Sequence, residues 1–342
     1  MTWQLLPEWA PQCGVLLAWP AAHTDWVDIL DEAEASYVEI AGAIARRQTC
    51  VILCTDSRHR EHILGRLRPR AVNEANLRFV HAPYNDTWIR DYGPITISDG
   101  RQLLLRDFGF NGWGRKFEAG KDDAVTRALA AQGLFRPAVD TVPLFLEGGS
   151  IETDGRGTLL TTSACLLSPM RNPHLDRAGT ERELARTLGI DRVLWLEHGH
   201  LAGDDTDSHI DTLARFCDPR TICYVACDDR DDEHYDALAA MADELRALRD
   251  ADGKPYELVP LPWPAGKYAP DGHRLPASYA NFLIINGAVL VPTYRDVADP
   301  EVLATLARCF PAHEVIGIDC LPLIHQHGSL HCVTLQLPQG VL

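Results

Sequence analysis

The 342-residue chain has no apolar run near the roughly 18–20 residues needed to cross a bilayer, so no helical membrane span is expected. Its start, Met1-Thr-Trp-Gln-Leu-Leu-Pro-Glu-Trp9, carries neither a basic stretch nor a long apolar one, and no secretory signal peptide is expected there. Positive charge is scarce: 32 Lys and Arg against 48 Asp and Glu leave a formal net charge of −16. A surface that acidic repels phosphate backbones, which argues against a nucleic-acid partner and tolerates small cationic ligands. No Cys-x-x-Cys pair occurs among the ten cysteines, so neither a zinc site nor a disulfide framework is expected. Most cysteines sit in apolar strand-like runs, such as Cys50-Val-Ile-Leu-Cys54 and Cys223-Tyr-Val-Ala-Cys227. They read as reduced core thiols of a cytoplasmic protein.

With 46% hydrophobic and 23% charged residues, disorder is excluded as the main state. The length fits two domains or one large single-core fold. A grammar recurs along the chain: a strand-like run, a short polar motif, two apolar runs joined by a tight turn, then a helix. The first copy has Leu77-Arg-Phe-Val-His-Ala82, the motif Asn85-Asp-Thr-Trp-Ile-Arg-Asp91, a hairpin about Asp99-Gly100 and a helix near residues 122–131. The second passes from Val142-Pro-Leu-Phe-Leu146 through Glu147-Gly-Gly-Ser150 to a turn at Asp154-Gly155 and a helix near 180–188. The third runs from Val193-Leu-Trp-Leu196 through Ser208-His-Ile-Asp211 to a turn at Asp218-Pro219 and a helix over 232–249.

The fourth copy has Leu258-Val-Pro-Leu261, a Pro/Gly-rich stretch at 263–276, a turn at Asn286-Gly287 and a helix near 300–310. The fifth, from Val315-Ile-Gly-Ile318 to a strand-like run over 328–337, lacks its own helix. Segment 26–46 supplies one, with Val27, Leu30, Tyr37, Ile40 and Ile44 at near-helical spacing. Strands alternating with helices predict an α/β fold. Sharing the last unit closes a ring between the chain ends around a central cavity. Two α/β domains divided near residue 190 are the alternative.

The motifs place acid–base and nucleophilic side chains where incoming strands end. Asp91 and Asp211 suit a planar cation, because carboxylates pair with guanidinium through parallel N–H···O bonds. His209 and Cys332 are a base–nucleophile pair if the fold joins them. Glu147 is a candidate to orient a protonated His209, and its two following glycines permit close backbone approach. On a strand, His209 and Asp211 share one face. Each signal has a plainer alternative: a core thiol, a structural His-x-Asp pair, a turn at Glu147, an Arg90–Asp91 ion pair, or a solvated acidic loop at Asp204, Asp205 and Asp207. His198, His200, His325 and His327 read as structural.

In order, Ala18-Trp-Pro20, Asn85-Asp-Thr-Trp-Ile-Arg-Asp91, Phe110-Asn-Gly-Trp-Gly114, Leu146-Glu-Gly-Gly-Ser150, Arg171-Asn-Pro-His174, His209-Ile-Asp211 and His331-Cys-Val-Thr334 resemble the agmatine deiminase family. That family lies in the guanidino-group-modifying superfamily, which also includes a bacterial type of peptidylarginine deiminase. The resemblance runs through most of the chain. It implies a five-bladed pseudo-symmetric α/β propeller, the pentein fold of ββαβ-type units around a central active-site cavity, with residues 1–342 as one catalytic domain. By the same resemblance Cys332 corresponds to the nucleophile, and His209 to the general acid/base with Glu147 as its partner. Asp91 and Asp211 correspond to the guanidinium clamp. Trp88 corresponds to the aromatic residue beside that cation, where a cation–π contact is worth about 0.5–2 kcal/mol.

Asp205 is the candidate to meet the far ammonium of agmatine. The implied reaction converts agmatine and water to N-carbamoylputrescine and ammonia, toward putrescine, with no metal or organic cofactor. The Cys332 thiol is expected to have a lowered pKa beside the cation and His209. Rival readings are peptidylarginine, free arginine met by Arg115 or Lys116, amidino transfer, and a silent binding scaffold. A homodimer is the common oligomeric expectation. The chain departs from plant-type members at Ser208, where they have Gly, and at His327-Gly-Ser-Leu330, where they have a glycine-rich stretch ending in Asn.

Overall fold

A computed structural model describes residues 3–342. The apolar runs form strands in six separate sheets, none closed on itself among the described residues. One pattern repeats: an antiparallel pair, then a third strand added parallel to the second through a helical crossover. Ile95–Ser98 pairs with Leu103–Gly109, which takes Ala138–Phe145 after the helix Val125–Ala131. Glu152–Thr153, Thr158–Thr162 and Arg192–Leu196 do the same around the helix Arg177–Leu188. Ala214–Asp218, Thr221–Val225 and Glu257–Leu261 follow with Tyr235–Ala247. Leu283–Ile285, Ala288–Thr293 and Glu314–Asp319 follow with Asp299–Cys309. Gly100 and Gly287 supply the positive φ that tight hairpin turns require, +86° and +69°.

One further sheet draws on both ends of the chain. Thr334–Pro338 pairs antiparallel with Gln12–Ala18, which takes Thr49–Cys54 parallel through the helix Leu30–Ala45. Leu77–His81 joins next, after the helix Ser57–Leu67. The helix Leu30–Ala45 buries Tyr37, Ile40 and Ile44, as its spacing predicts, whereas Val27 is 55% exposed.

The arriving strand of each repeat belongs to the preceding sheet. Every polar motif is therefore the segment that leaves one sheet and enters the next, between Leu77–His81 and Ile95–Ser98 for the first. Irregular backbone pinned at both ends by strands is a stiff platform for side chains. A buried apolar cluster draws residues from Val15 to Val341, and a second gathers around Ile97, Leu159 and Leu184. All ten cysteines are free thiols, with Cys13 and Cys309 half-buried and the others buried. Stretch 263–276 forms the small hairpin Lys267–Tyr268 with Arg274–Leu275, tied down by Trp263 and Arg274 on Asp232. No helix among the described residues is long and apolar enough to cross a membrane.

Candidate active site

Asp91 sits on the short helix Ile89–Tyr92. Its Oδ1 accepts from Gly149 N at 2.8 Å and its Oδ2 from Trp113 Nε1 at 2.9 Å. Trp113 reaches it from a left-handed turn, φ +54°, between Gly112 and Gly114, which also have positive φ. Arg90 does not pair with Asp91. Its guanidinium bonds the His331 carbonyl and Gln336, which removes the simple ion-pair reading. Trp88 lies so close to Gly328 that a Cβ there would stand 2.1 Å from the indole. Its Nε1 donates to Asp86 at 3.2 Å.

Gly149 is the point of convergence. A Cβ on it would fall 2.7 Å from His209 Nδ1, 2.9 Å from Asp91 Oδ1 and 3.0 Å from Asp211 Oδ2. The close backbone approach expected of Glu147-Gly-Gly is thus present. His209 and Asp211, however, are not on a strand. Ile210–Thr212 is a 3-10 turn with His209 at its N-cap. The backbone enters that turn through Asp207 and Ser208 at φ +67° and +66°. This is the left-handed region where glycine is free and other residues are strained.

Glu147 has a hydrogen-bond partner that the motifs did not indicate. Arg171 Nε lies 2.9 Å from each of its carboxylate oxygens, while Arg171 Nη1 reaches Asp207 at 2.6 Å and Nη2 the Thr206 carbonyl at 2.8 Å. Glu147 also stands within 4.8 Å of His209, and its charge favours the protonated imidazole. The side chains of Arg171 and Glu147 are 0% and 1% exposed. Arg171→Met should therefore strand a buried carboxylate and cost about 3–5 kcal/mol in denaturant unfolding. A loss below about 1 kcal/mol would show that the pair adds little.

The acidic loop is likewise structured. Asp204 accepts from Thr206 and Ser208 N, and Asp207 pairs with Arg171 and Lys116. Asp205 faces the cavity described below.

Cys332 lies in the turn before Thr334–Pro338, 6% exposed. Its Sγ is 3.3 Å from Asn281 Nδ2 and 3.8 Å from Asp211 Oδ2. Asn281 Oδ1 also accepts from His331 N at 2.8 Å. The sequence reading missed Asn281, Arg171, Trp113 and Cys165, which lies close to His209 and Glu147. Asn281 was findable, since it occupies the sheet-to-sheet segment of the one repeat without an assigned motif. Arg171 and Trp113 stood inside quoted motifs without a role.

Burial opposes charge on His209, but Asp91, Cys165 and Glu147 outweigh it and hold its pKa well above the usual histidine value. Burial also dominates at Asp91, raising it, with Asp211 adding to the rise. Asp211 ends below the usual carboxylate range because the His331 hydrogen bond and charge overcome burial. Cys332 departs from expectation. Burial and the Asp211 and Asp91 carboxylates push its thiol well above the usual value.

A cavity of about 410 Å³ opens beside these groups, lined by Trp88, Asp91, Trp113, Asp86, Asp205 and Cys332. Its size suits a small ligand. Burial pushes Asp86 up to about 6 and Asp122, which also lines it, up to about 8. Such carboxylates gain from an entering cation. His209 and Asp211 adjoin it, gathered with Asp91 around Gly149, and Asp211 Oδ2 is 3.8 Å from Cys332 Sγ.

The model of the Porphyromonas-type peptidyl-arginine deiminase family matches residues 4–338. An agmatine deiminase of Pseudomonas putida strain F1 is 34% identical over 359 residues, covering 98% of this chain and 95% of its own. Among solved structures, a candidate arginine deiminase from Porphyromonas gingivalis superposes with a TM-score of 0.94 at 52% identity, covering 99% of both chains. A C. jejuni agmatine deiminase with substrate bound gives 0.92 at 36%, covering 99% of this chain and 97% of that one. The sheets described above are those of an α/β pentein fold. With a match across nearly its whole length, the chain belongs to the Porphyromonas-type peptidyl-arginine deiminase family, as a relative of the agmatine deiminases.

Proposed function

We propose that the protein is an agmatine deiminase, hydrolysing agmatine to N-carbamoylputrescine and ammonia through an amidino thioether on Cys332, a step toward putrescine. One observation carries this reading. Oδ1 of Asp211 is buried without a hydrogen-bond partner among the described residues, and Oδ2 of the same carboxylate lies 3.8 Å from the Cys332 sulfur. Each such atom costs about 1–3 kcal/mol if left unpaired. A planar cation with several N–H donors gives that carboxylate oxygen the partner it lacks.

In this reading Asp91 and Asp211 hold the guanidinium plane. The arriving positive charge offsets the two carboxylates that hold the Cys332 thiol up, so the thiol ionises with substrate in place. Sulfur adds to the central carbon. The C–N bond breaks as His209 protonates the departing nitrogen, which leaves as ammonia and takes up the former thiol proton. Water then gives a proton to His209 and attacks the amidino carbon. The C–S bond breaks, the urea-type product departs, and the second water proton returns to sulfur. Charge develops on nitrogens already held by carboxylates, which is where preorganised electrostatics act.

The far ammonium of agmatine meets Asp205, whose carboxyl is raised by burial and wants a cation. Lys116 is engaged by Asp207 at 2.7 Å, which disfavours its expected role with the carboxylate of free arginine. The five sheets of repeated pattern support a five-bladed propeller about this cavity, with the whole chain as one catalytic domain. Ten free thiols support a cytoplasmic enzyme.

The second reading, peptidylarginine as substrate, is favoured by the matched family's name. Ammonia release from agmatine, free arginine and an arginine peptide, assayed side by side, separates them. Agmatine should lead by at least about 10²-fold in kcat/KM. Turnover of the peptide without agmatine would replace the proposal by the second reading.

A further inference from the structure

The residue before the sulfur is not used by this chemistry, yet it is buried among charges. His331 is 2% exposed. Its Nδ1 lies 2.8 Å from Asp211 Oδ2 and its Nε2 lies 2.7 Å from Glu8 Oε2. Glu8 is itself held: Oε1 accepts from Ile284 N at 2.8 Å and Oε2 from Arg215 Nη2 at 3.0 Å, with Arg90 Nη2 3.7 Å away. Arg215 pairs in turn with Glu152 and donates to the Phe282 carbonyl at 2.6 Å. The strands of Glu152 and Arg215 belong to two different sheets, and Glu8 precedes the strand Gln12–Ala18 of a third.

We infer that His331 is a positioning residue for guanidinium hydrolysis: clamped between Glu8 and Asp211, it fixes the Asp211 carboxylate so that Oδ1 is the oxygen presented to substrate. A cluster serving the fold alone need not end on a reactive group. This one ends on Asp211 Oδ2, the oxygen 3.8 Å from Cys332 Sγ, and Asp211 Oδ1 is the oxygen without a partner among the described residues. Without His331 the carboxylate is free to turn and to offer either oxygen, and the guanidinium plane loses its register with the sulfur. Supports behind a binding group commonly matter in this way. The inference rests on the guanidinium reading of the site but not on the identity of the substrate tail.

The test is a binding cycle in full-length Cys332→Ser protein, with agmatine affinity read by calorimetry and folding read by circular dichroism melting. His331→Gln should weaken agmatine at least about 10-fold, and Asp211→Asn by at least as much. Adding His331→Gln to Asp211→Asn should cost no more than about 2-fold further, because the two act as one unit. A merely structural histidine would give losses that multiply, and that result overturns the role. Should His331→Gln fail to fold, Glu8→Gln runs the same cycle from the other end of the chain of contacts. Failure of both to fold, or unchanged affinity in both, also overturns it. Wild-type turnover of guanidino compounds is read in parallel: its absence overturns the functional reading and this role together, whereas turnover with multiplying losses removes the role of His331 alone.

Discussion

Replacing Cys332 with Ser is expected to lower ammonia release from agmatine by at least about 10³-fold while agmatine still binds. A serine hydroxyl fits the same space beside Asn281 and Asp211 but does not ionise near neutral pH. The Asp91 and Asp211 carboxylates are untouched, so the guanidinium is still held. Coupled measurement of ammonia and calorimetric titration with agmatine separate the two effects. Undiminished turnover would falsify the covalent mechanism. Loss of binding together with turnover would mean that the sulfur supports the pocket instead of reacting in it.

The raised Cys332 thiol makes this substitution more informative than a general thiol argument. Burial and two nearby carboxylates disfavour the thiolate in the protein itself, so the reactive form depends on the cation. A neutral thiol reagent should therefore react faster when a non-hydrolysable guanidinium small enough to leave the sulfur open is present. The sign is opposite to simple protection.

Gly149→Ala is the second large effect, at least about 10²-fold in kcat with little change in melting temperature. The backbone there is not left-handed, so the new methyl brings no conformational strain of that kind. It brings collision: 2.7 Å to His209 Nδ1, 2.9 Å to Asp91 Oδ1 and 3.0 Å to Asp211 Oδ2. Three functional groups must move apart by several tenths of an ångström, and a misplacement of that order is costly where reacting atoms are preorganised. Gly120→Ala is the control, because its Cβ would meet nothing within 4 Å. Equal activity in the two variants would show that the three groups do not converge on Gly149 during turnover.

The strand order, the hairpins at Asp99-Gly100 and Asn286-Gly287, and the helix shared by the two ends were legible because they depend on turn residues and apolar spacing within a few positions. The motif residues were legible as well, since each strand run ends on them. The reading failed where it assumed that a polar motif continues the strand beside it. Ser208-His-Ile-Asp211 bridges two sheets, so it turns through left-handed residues into a 3-10 turn.

The supporting partners were not legible. Asn281 reaches Cys332 across 51 positions, and Glu8 reaches His331 across 323. Arg171 hydrogen-bonds Glu147, which also lies within 4.8 Å of His209. Local pattern in the chain was enough to name the elements and the polar motifs between them, because backbone preference and amphipathic spacing are short-range properties. Which charges stand together, and so whether a thiol is raised or lowered, came from distant segments packing into one water-poor interior, where Coulomb energies are large and act on whatever the fold brings near.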